Sequence, residues 1–294
     1  MRSVCAVIVN YHQSRLTRQA VDSVLASCGV GIRVVVVDNE SDGSLRESLP
    51  RDESRISLLE NTANTGFGAA CNQGIERALA LGCDGVLLLN NDAIVAPDAV
   101  RDLAGAAALH GLAAPKILLP GGRIYSAGGI VELAKARCRN RGIYEEDRGQ
   151  YDQPEVMRFA SACALMLSRP ALETGVRFHA PFFLYYEDAD FCLRMCEAGF
   201  RVAYTPSARV THLESATTAS GSRLGLLYYD VRNRFLFLRR HGGRLEKVAG
   251  AAWLTATTKI RILSRLARGQ AREARALWAG LIHGLLGRTG KWPN

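Results

Sequence analysis

The 294-residue sequence lacks most of the features that assign a protein at a glance. Its eight cysteines form no C-x-x-C pair. The nearest two, Cys192 and Cys196, sit four apart in a predicted helix, so the thiols read as buried and free rather than as a metal or redox site. There is no Walker loop, no G-x-S-x-G elbow and no H-E-x-x-H, which removes the motif-based case for a P-loop nucleotidase, an α/β-hydrolase or a zinc protease. Met1 to Asn10 carries no basic segment, apolar stretch and cleavage site in series, and a cytoplasmic protein is expected. No internal repeat or low-complexity stretch stands out.

What is present begins with 48% apolar residues, enough for one large core, or a core and a smaller appendage. The first half alternates strand and helix patterns. Val4 to Asn10, Arg33 to Asp38, Ile56 to Leu59 and Gly85 to Leu89 read as buried strands, and Leu16 to Ser27 and Ala69 to Leu81 as helices. That order predicts a mostly parallel sheet with helices on both faces. Beyond it, residues 121 to 156 read as loops with short strands, and Arg158 to Leu167 as a buried strand or the start of a helix. Phe182 to Tyr186 reads as an aromatic strand, Phe191 to Gly199 as a helix and Arg201 to Tyr204 as a strand.

Charge is placed unevenly. From Arg223 onward there are 15 Lys and Arg against 3 Asp and Glu, a net +12, which leaves residues 1 to 222 at −3 within the total of +9. The pattern there is helical throughout, and the charge-free stretches Val248 to Thr258 and Ala276 to His283 are too short to span a bilayer. Arg261, Arg265, Arg268, Arg272 and Arg275 lie between apolar faces. Such a tail suits an interfacial helix on anionic lipid, and equally an ordinary solvated helix packed on the core; the expected partner is a membrane surface and not nucleic acid.

Polar residues follow the strands at their carboxyl ends, where open α/β sheets bind ligands: Asn10, Asp38, Asn64 and Asp92. Each alone is also a helix cap or turn residue. Asp92, behind Asn90 and Asn91, offers a hard oxygen to Mg2+ or Mn2+. Glu187, Asp188 and Asp190 crowd three carboxylates into four positions, which suits a general base and also suits the dipole of a helix amino terminus. His212, in a Thr-His-Leu-Glu loop after a strand, is a ligand or a structural histidine. The loop at Asn64 has the look of a dinucleotide-binding G-x-G-x-x-G, but Cys71 stands where the third glycine belongs, which leaves a nicotinamide-dependent oxidoreductase as a minor alternative.

Taken in order, seven stretches resemble the family 2 glycosyltransferases with a GT-A fold, in particular their bacterial rhamnosyltransferase-like branch. They are residues 7–12 (VIVNYH), 35–43 (VVVDNESDG), 64–72 (NTGFGAACN), 87–92 (LLLNND), 183–194 (FLYYEDADFCLR), 210–212 (VTH) and 228–233 (YYDVRN). The resemblance implies a catalytic domain over residues 1–222, with a nucleotide-sugar-binding half (1–110) and an acceptor-side half (111–222), followed by a basic helical region (223–294).

It also implies roles. Asn10 and Asp38 line the base and ribose pocket, and Asn64 and the backbone around Gly66 complete the nucleotide site with Asn91. Asp92 matches the last acid of the family's D-x-D metal motif, whose first acid is Asn90 here, and His212 completes the site for a divalent cation, Mn2+ or Mg2+. Asp188 matches the catalytic base, with Glu187 and Asp190 holding the acceptor or orienting the base, and Arg232 either approaches the diphosphate or makes a salt bridge within the helical tail. The implied reaction is an inverting displacement from a dTDP- or UDP-sugar onto a lipid-linked or polysaccharide acceptor. dTDP-rhamnose is the leading donor, and UDP-galactofuranose or UDP-N-acetylglucosamine its rivals. The expected place is the cytoplasmic side of the plasma membrane; a non-catalytic nucleotide-sugar-binding scaffold is the remaining reading.

Overall fold

The computed structural model describes residues 1–50, 53–213 and 223–292. Four strands, β1 (Ser3–Asn10), β2 (Gly31–Asn39), β3 (Ile56–Asn61) and β4 (Gly85–Asn90), form a parallel sheet in the order β4-β1-β2-β3. The apolar runs of β1, β2 and β4 have no polar face because both faces are covered, whereas the edge strand β3 is half-buried. Cys5, Val7, Val35 and Val37 point into a core shared with helix α3 (Phe67–Ala80). Val4, Ala6, Ile8, Val34 and Val36 point into a second core with α1 (Ser14–Leu25), the short α2 (Ser44–Ser48) and α4 (Ala99–His110). Helix α3 lies so close to β1 that a Cβ on Gly74 would stand 2.2 Å from Val7 Cγ1.

The sheet continues through β5 (Ala93–Val95), β6 (Gly111–Leu118), β7 (Ile124–Ser126), β10 (Glu155–Met157), β11 (Ala164–Ser168) and β12 (Arg201–His212), while β8 (Gly129–Glu132) and β9 (Arg137–Asn140) form a separate hairpin. Here the expectation of a mostly parallel sheet gives way to a mixed one. β11 lies antiparallel to both β4 and β6, between them. The reason is connectivity: no crossover helix lies between β6 and β11, so the chain re-enters the sheet from the end at which it left. β12 then pairs parallel with β6 after helices α5 (Arg169–Glu173) and α6 (Glu187–Glu197).

Among the described residues three helices follow: α7 (Arg223–His241), α8 (Arg244–Ala267) and α9 (Ala271–Leu286). They share a small core of Val231, Phe235, Leu238, Leu254, Leu277 and Leu281, while Phe237 of α7 enters the core beneath α3 and α6. The expected domain boundary at 222/223 falls at the edge of residues 214–222, outside the described residues. The outer face of α8 is neither packed nor polar. Leu245, Val248, Trp253, Ile260, Leu263 and Leu266 are all exposed, Leu245 at 86% and Ile260 at 66%. Among the described residues no helix is long and apolar enough to cross a membrane. All eight cysteines are free, five of them buried.

Candidate active site

Asn10 and Asp38 end β1 and β2 as register partners. Parallel pairing brings the two side chains together: Asn10 Nδ2 donates to Asp38 Oδ1 at 2.7 Å. Asn10 Oδ1 accepts from Thr17 Oγ1 at 2.7 Å, and Thr17 Oγ1 accepts from Asn91 Nδ2 at 3.2 Å. A buried chain of polar groups thus runs from the turn after β4 to the end of β2. Asp38 Oδ2 is buried with no hydrogen-bond partner among the described residues. An unpaired buried carboxylate oxygen is costly, and a donor group on a bound ligand would satisfy it.

Asn39 organises the neighbouring loop, a part its sequence position did not suggest. Its Oδ1 accepts from Thr65 N, Thr65 Oγ1 and Asn61 Nδ2 at 3.0 to 3.2 Å, and its Nδ2 donates to Asn64 Oδ1 at 3.1 Å. The one available hint was three asparagines, Asn39, Asn61 and Asn64, at or just beyond the ends of β2 and β3. Gly66 follows at φ +90°, and a Cβ there would stand 2.7 Å from Phe183 O. The glycine lets the start of α3 dock on the turn before α6, where Phe67 N donates to Phe183 O at 2.9 Å.

Asp92 and His212 meet because β5 pairs with β12. Ala93 lies opposite His212, Leu213 N donates to Asp92 O at 2.8 Å, and His212 Nε2 stands 3.1 Å from Asp92 Oδ1. His212 therefore ends a strand rather than sitting in a loop, and its ring lies 4.4 Å from that of Tyr125. Burial opposes charging of the imidazole, but Cys163 and Asp92 outweigh it and hold the pKa up at about 10. Among the described residues no group of three or more His, Cys, Asp or Glu is arranged to hold a metal ion. Once a cation displaces the imidazole proton, the pair offers one carboxylate and one imidazole nitrogen, which suits a cation completed by donor phosphates and water rather than a closed protein cage.

The aromatic run before α6 is a turn and not the strand expected. A 3-10 turn at Ala180–Phe182 leads into Phe183, Tyr185 and Tyr186, all with φ between 66° and 70°. Three bulky residues in left-handed conformations are strained and persist only where their surroundings hold them. Here Asn233 Nδ2 lies 3.0, 2.6 and 2.8 Å from the carbonyls of Phe182, Leu184 and Tyr185, and Arg232 Nη2 donates to Phe182 O at 2.7 Å.

That strained turn delivers Glu187 and Asp188 at the start of α6. Asp188 Oδ1 accepts from Ala189 N at 2.8 Å and Oδ2 from Ala162 N at 3.3 Å. Burial raises its proton affinity despite these donors. Glu187 is more deeply buried, and burial followed by the charge of Asp188 pushes its pKa up to about 8. Asp190 is placed differently. Fully buried, it meets Arg240 Nε and His241 Nε2 through Oδ1 and Arg194 through Oδ2, tying α6 to α7. Burial works against its ionisation, yet these partners hold its pKa down to about 2. It takes no part in the lining of the neighbouring cavity.

Arg232 is also not where the sequence reading put it. It is fully buried beneath Tyr228 and Tyr229, about 5 Å from each ring, and donates to the carbonyls of Phe182 and Gly290. The tyrosine pair and the carbonyls hold it in a buried structural position, and it does not line the neighbouring cavity.

A cavity of about 610 Å3 opens over Asp188 and Glu187. Phe67, Tyr125, Phe159, Tyr185 and Tyr186 form its walls, and Asn90 and Cys163 line the side nearest the metal-type pair. Asn10, Asp38 and Asn64 lie outside it. Two compartments therefore meet at the end of β4: a polar rim above the parallel strands and an aromatic chamber floored by carboxylates.

The glycosyl transferase family 2 model matches residues 5–175, which include β1 to β11 and α1 to α5. The chain belongs to glycosyl transferase family 2. This family 2 glycosyltransferase is 24% identical to a low-salt glycan biosynthesis hexosyltransferase of Haloferax volcanii, over 97% of its own length and 92% of the relative's. It is 26% identical to the N-acetylglucosaminyl-diphospho-decaprenol L-rhamnosyltransferase of Mycobacterium tuberculosis, over 72% and 76% of the two chains. A dTDP-rhamnosyl transferase of Shigella flexneri is 23% identical over 81% of each. Its fold is GT-A: a mannosyltransferase of Pyrobaculum calidifontis, solved with GDP-mannose and Mn2+, superposes with a TM-score of 0.60 over 97% of this chain and 87% of that one, at 16% identity. The nicotinamide alternative falls with this assignment, since α3 with its Gly66 is part of the glycosyltransferase match.

Proposed function

We propose that this glycosyltransferase transfers a sugar with inversion, with L-rhamnose from dTDP-rhamnose as the lead, to a lipid-linked or polysaccharide acceptor, and that Asp188 is its general base. The observation that carries the reading is the position of Asp188. It is half-buried on a strained, over-determined turn, at the floor of a chamber that adjoins the end of β4. Burial raises its affinity for a proton, the property a base at neutral pH requires.

The nucleoside is assigned to the rim of Asn10, Asp38 and Asn64, where the unpaired Asp38 Oδ2 awaits a donor. Asp92 and His212 would hold a divalent cation, which supplies charge neutralisation to the departing diphosphate. Asp188 takes the proton of the acceptor hydroxyl as that oxygen attacks the anomeric carbon. Glu187, protonated below pH about 8, leaves a single negative charge beside that event. Phe67 and the tyrosines exclude water that would otherwise hydrolyse the donor.

The acceptor is placed at the inner surface of the plasma membrane. The +12 tail and the exposed apolar stripe of α8, 24 residues or about 36 Å long, form an interfacial face of the kind that buries itself at the headgroup boundary.

Thermal shift tests the donor assignment. dTDP- and UDP-sugars are titrated with and without Mn2+ onto the wild type and Asp92→Ala. The expected result is a Mn2+-dependent shift for dTDP-rhamnose that Asp92→Ala loses; no shift with any nucleotide sugar returns the chain to the scaffold reading.

A further inference from the structure

Three arginines at the mouth of the aromatic chamber have no part in the reaction described above. Arg139 comes from β9, Arg223 from the first residue of α7 and Arg261 from α8, and all three line the cavity. Their side chains are 42%, 67% and 37% exposed, whereas Glu187 on the floor is buried. The chamber is therefore acidic at its closed end and basic at its open one. One carboxylate, Asp230, shares the mouth and meets Arg261 Nη1 at 2.8 Å. Arg223 meets Glu273 through Nε at 3.3 Å and Arg139 lies 3.6 Å from Glu132, and neither of those acids lines the cavity. The long Arg139–Glu132 contact at the surface is worth little, and Glu273, 14% exposed, keeps Arg265 at 3.2 Å when Arg223 turns to another anion.

Arg261 has a second distinction. Its neighbour Ile260 and nearby Leu263 are 66% and 65% exposed on the apolar face of α8. The helix that walls the chamber is the helix that carries the apolar stripe, so an acceptor entering from a lipid surface passes the arginines before its sugar reaches Asp188. Guanidinium groups are suited to phosphoryl oxygens at such a place, because their planar forks take two oxygens at once and they carry less bound water than ammonium groups.

We propose that Arg139, Arg223 and Arg261 form the receiving site for the phosphoryl group that joins the acceptor sugar to its lipid, so that the anionic linkage is gripped at the mouth while the sugar lies on the chamber floor. The proposal rests on the lipid-linked branch of the reading above and names the chemistry by which that acceptor is recognised.

Calorimetric titration of the full chain with farnesyl diphosphate, a short prenyl diphosphate, tests it. The wild type should bind farnesyl diphosphate and not farnesol, and excess dTDP should leave that binding in place. The triple variant Arg139→Gln/Arg223→Gln/Arg261→Gln should bind at least about tenfold more weakly, with much of the affinity restored when all three are lysine. Thermal shift by dTDP should be the same in all variants, which shows that each is folded and keeps its donor site. Equal affinity in the wild type and the glutamine variant overturns the proposal, as does displacement by dTDP, which would place the diphosphate in the donor site. Flotation on phosphatidylglycerol vesicles separates a linkage site from general headgroup attraction. The glutamine variant should still float; loss of flotation with unchanged farnesyl diphosphate affinity overturns the proposal. A chain that responds to dTDP-rhamnose but ignores farnesyl diphosphate retains the enzyme reading and loses this one.

Discussion

The side-chain amide of Asn233 donates to the carbonyl oxygen of Leu184 at 2.6 Å. That contact joins the first carboxy-terminal helix to the turn that carries Glu187 and Asp188, and the same nitrogen lies within 3.0 Å of the Phe182 and Tyr185 carbonyls. Asn233→Ala removes the donor and leaves buried carbonyls unpaired beside three left-handed residues. A stability loss of about 1–3 kcal/mol is expected in denaturant unfolding, with turnover falling further than dTDP binding, because the displaced turn leads into Asp188, the proposed base, and not into the rim of Asn10 and Asp38. Equal loss in both would show that the turn has no special bearing on Asp188.

Arg232 gives a sharper separation. If it contacted the donor diphosphate, Arg232→Met would weaken dTDP-sugar binding. Its burial beneath Tyr228 and Tyr229 predicts instead that the Kd for dTDP-rhamnose changes less than about twofold, while unfolding shifts by about 2 kcal/mol as the Gly290 carbonyl loses its donor and the Phe182 carbonyl loses one of two.

Stability should depend on pH through Glu187. Its folded pKa, about 8, lies above the usual carboxylate value because burial and then Asp188 disfavour its charge. The folded state therefore holds a proton that the unfolded chain gives up near pH 4.5. The stability this proton provides is complete below about pH 4.5 and is lost as pH rises toward 8. Urea unfolding of the wild type should show a decline across that window on the order of a few kcal/mol. Glu187→Gln should flatten it, and identical pH profiles would refute the assignment.

The apolar stripe of α8 predicts membrane attachment that survives salt better than a purely electrostatic contact. Ile260→Ser/Leu263→Ser should reduce flotation on anionic vesicles severalfold at about 0.5 M salt, where exposed charges are screened, and leave the unfolding midpoint nearly unchanged, since both side chains are exposed. Undiminished flotation would assign attachment to the arginines alone.

The parallel half of the molecule was readable because its strands are nearly unbroken apolar runs, and a run such as Val34–Val37 buried on both faces has few alternatives. Pairing Asn10 with Asp38 follows from that, since both end strands in parallel register. The antiparallel β11 was not readable: Ala164–Ser168 is too short to show its direction, which is set by the missing crossover helix. Phe182–Tyr186 has the composition of a strand and becomes a turn because Asn233, Arg232 and Phe67 claim its carbonyls from a distance in the chain. The partners of Asp190 and Arg232 were not readable for one reason. Each is a charged residue within a motif, and burial with remote partners, invisible in local sequence, decides what it does.

The central claim is that Asp188 removes the acceptor proton, and single-turnover transfer from dTDP-rhamnose to a lipid-linked acceptor that the wild type uses tests it most directly. With Asp188→Asn, which keeps the size of the side chain, the rate should fall by about 10² to 10⁴ while the thermal shift by dTDP-rhamnose stays at the wild-type value. A rate within tenfold of the wild type at full donor occupancy would contradict the assignment.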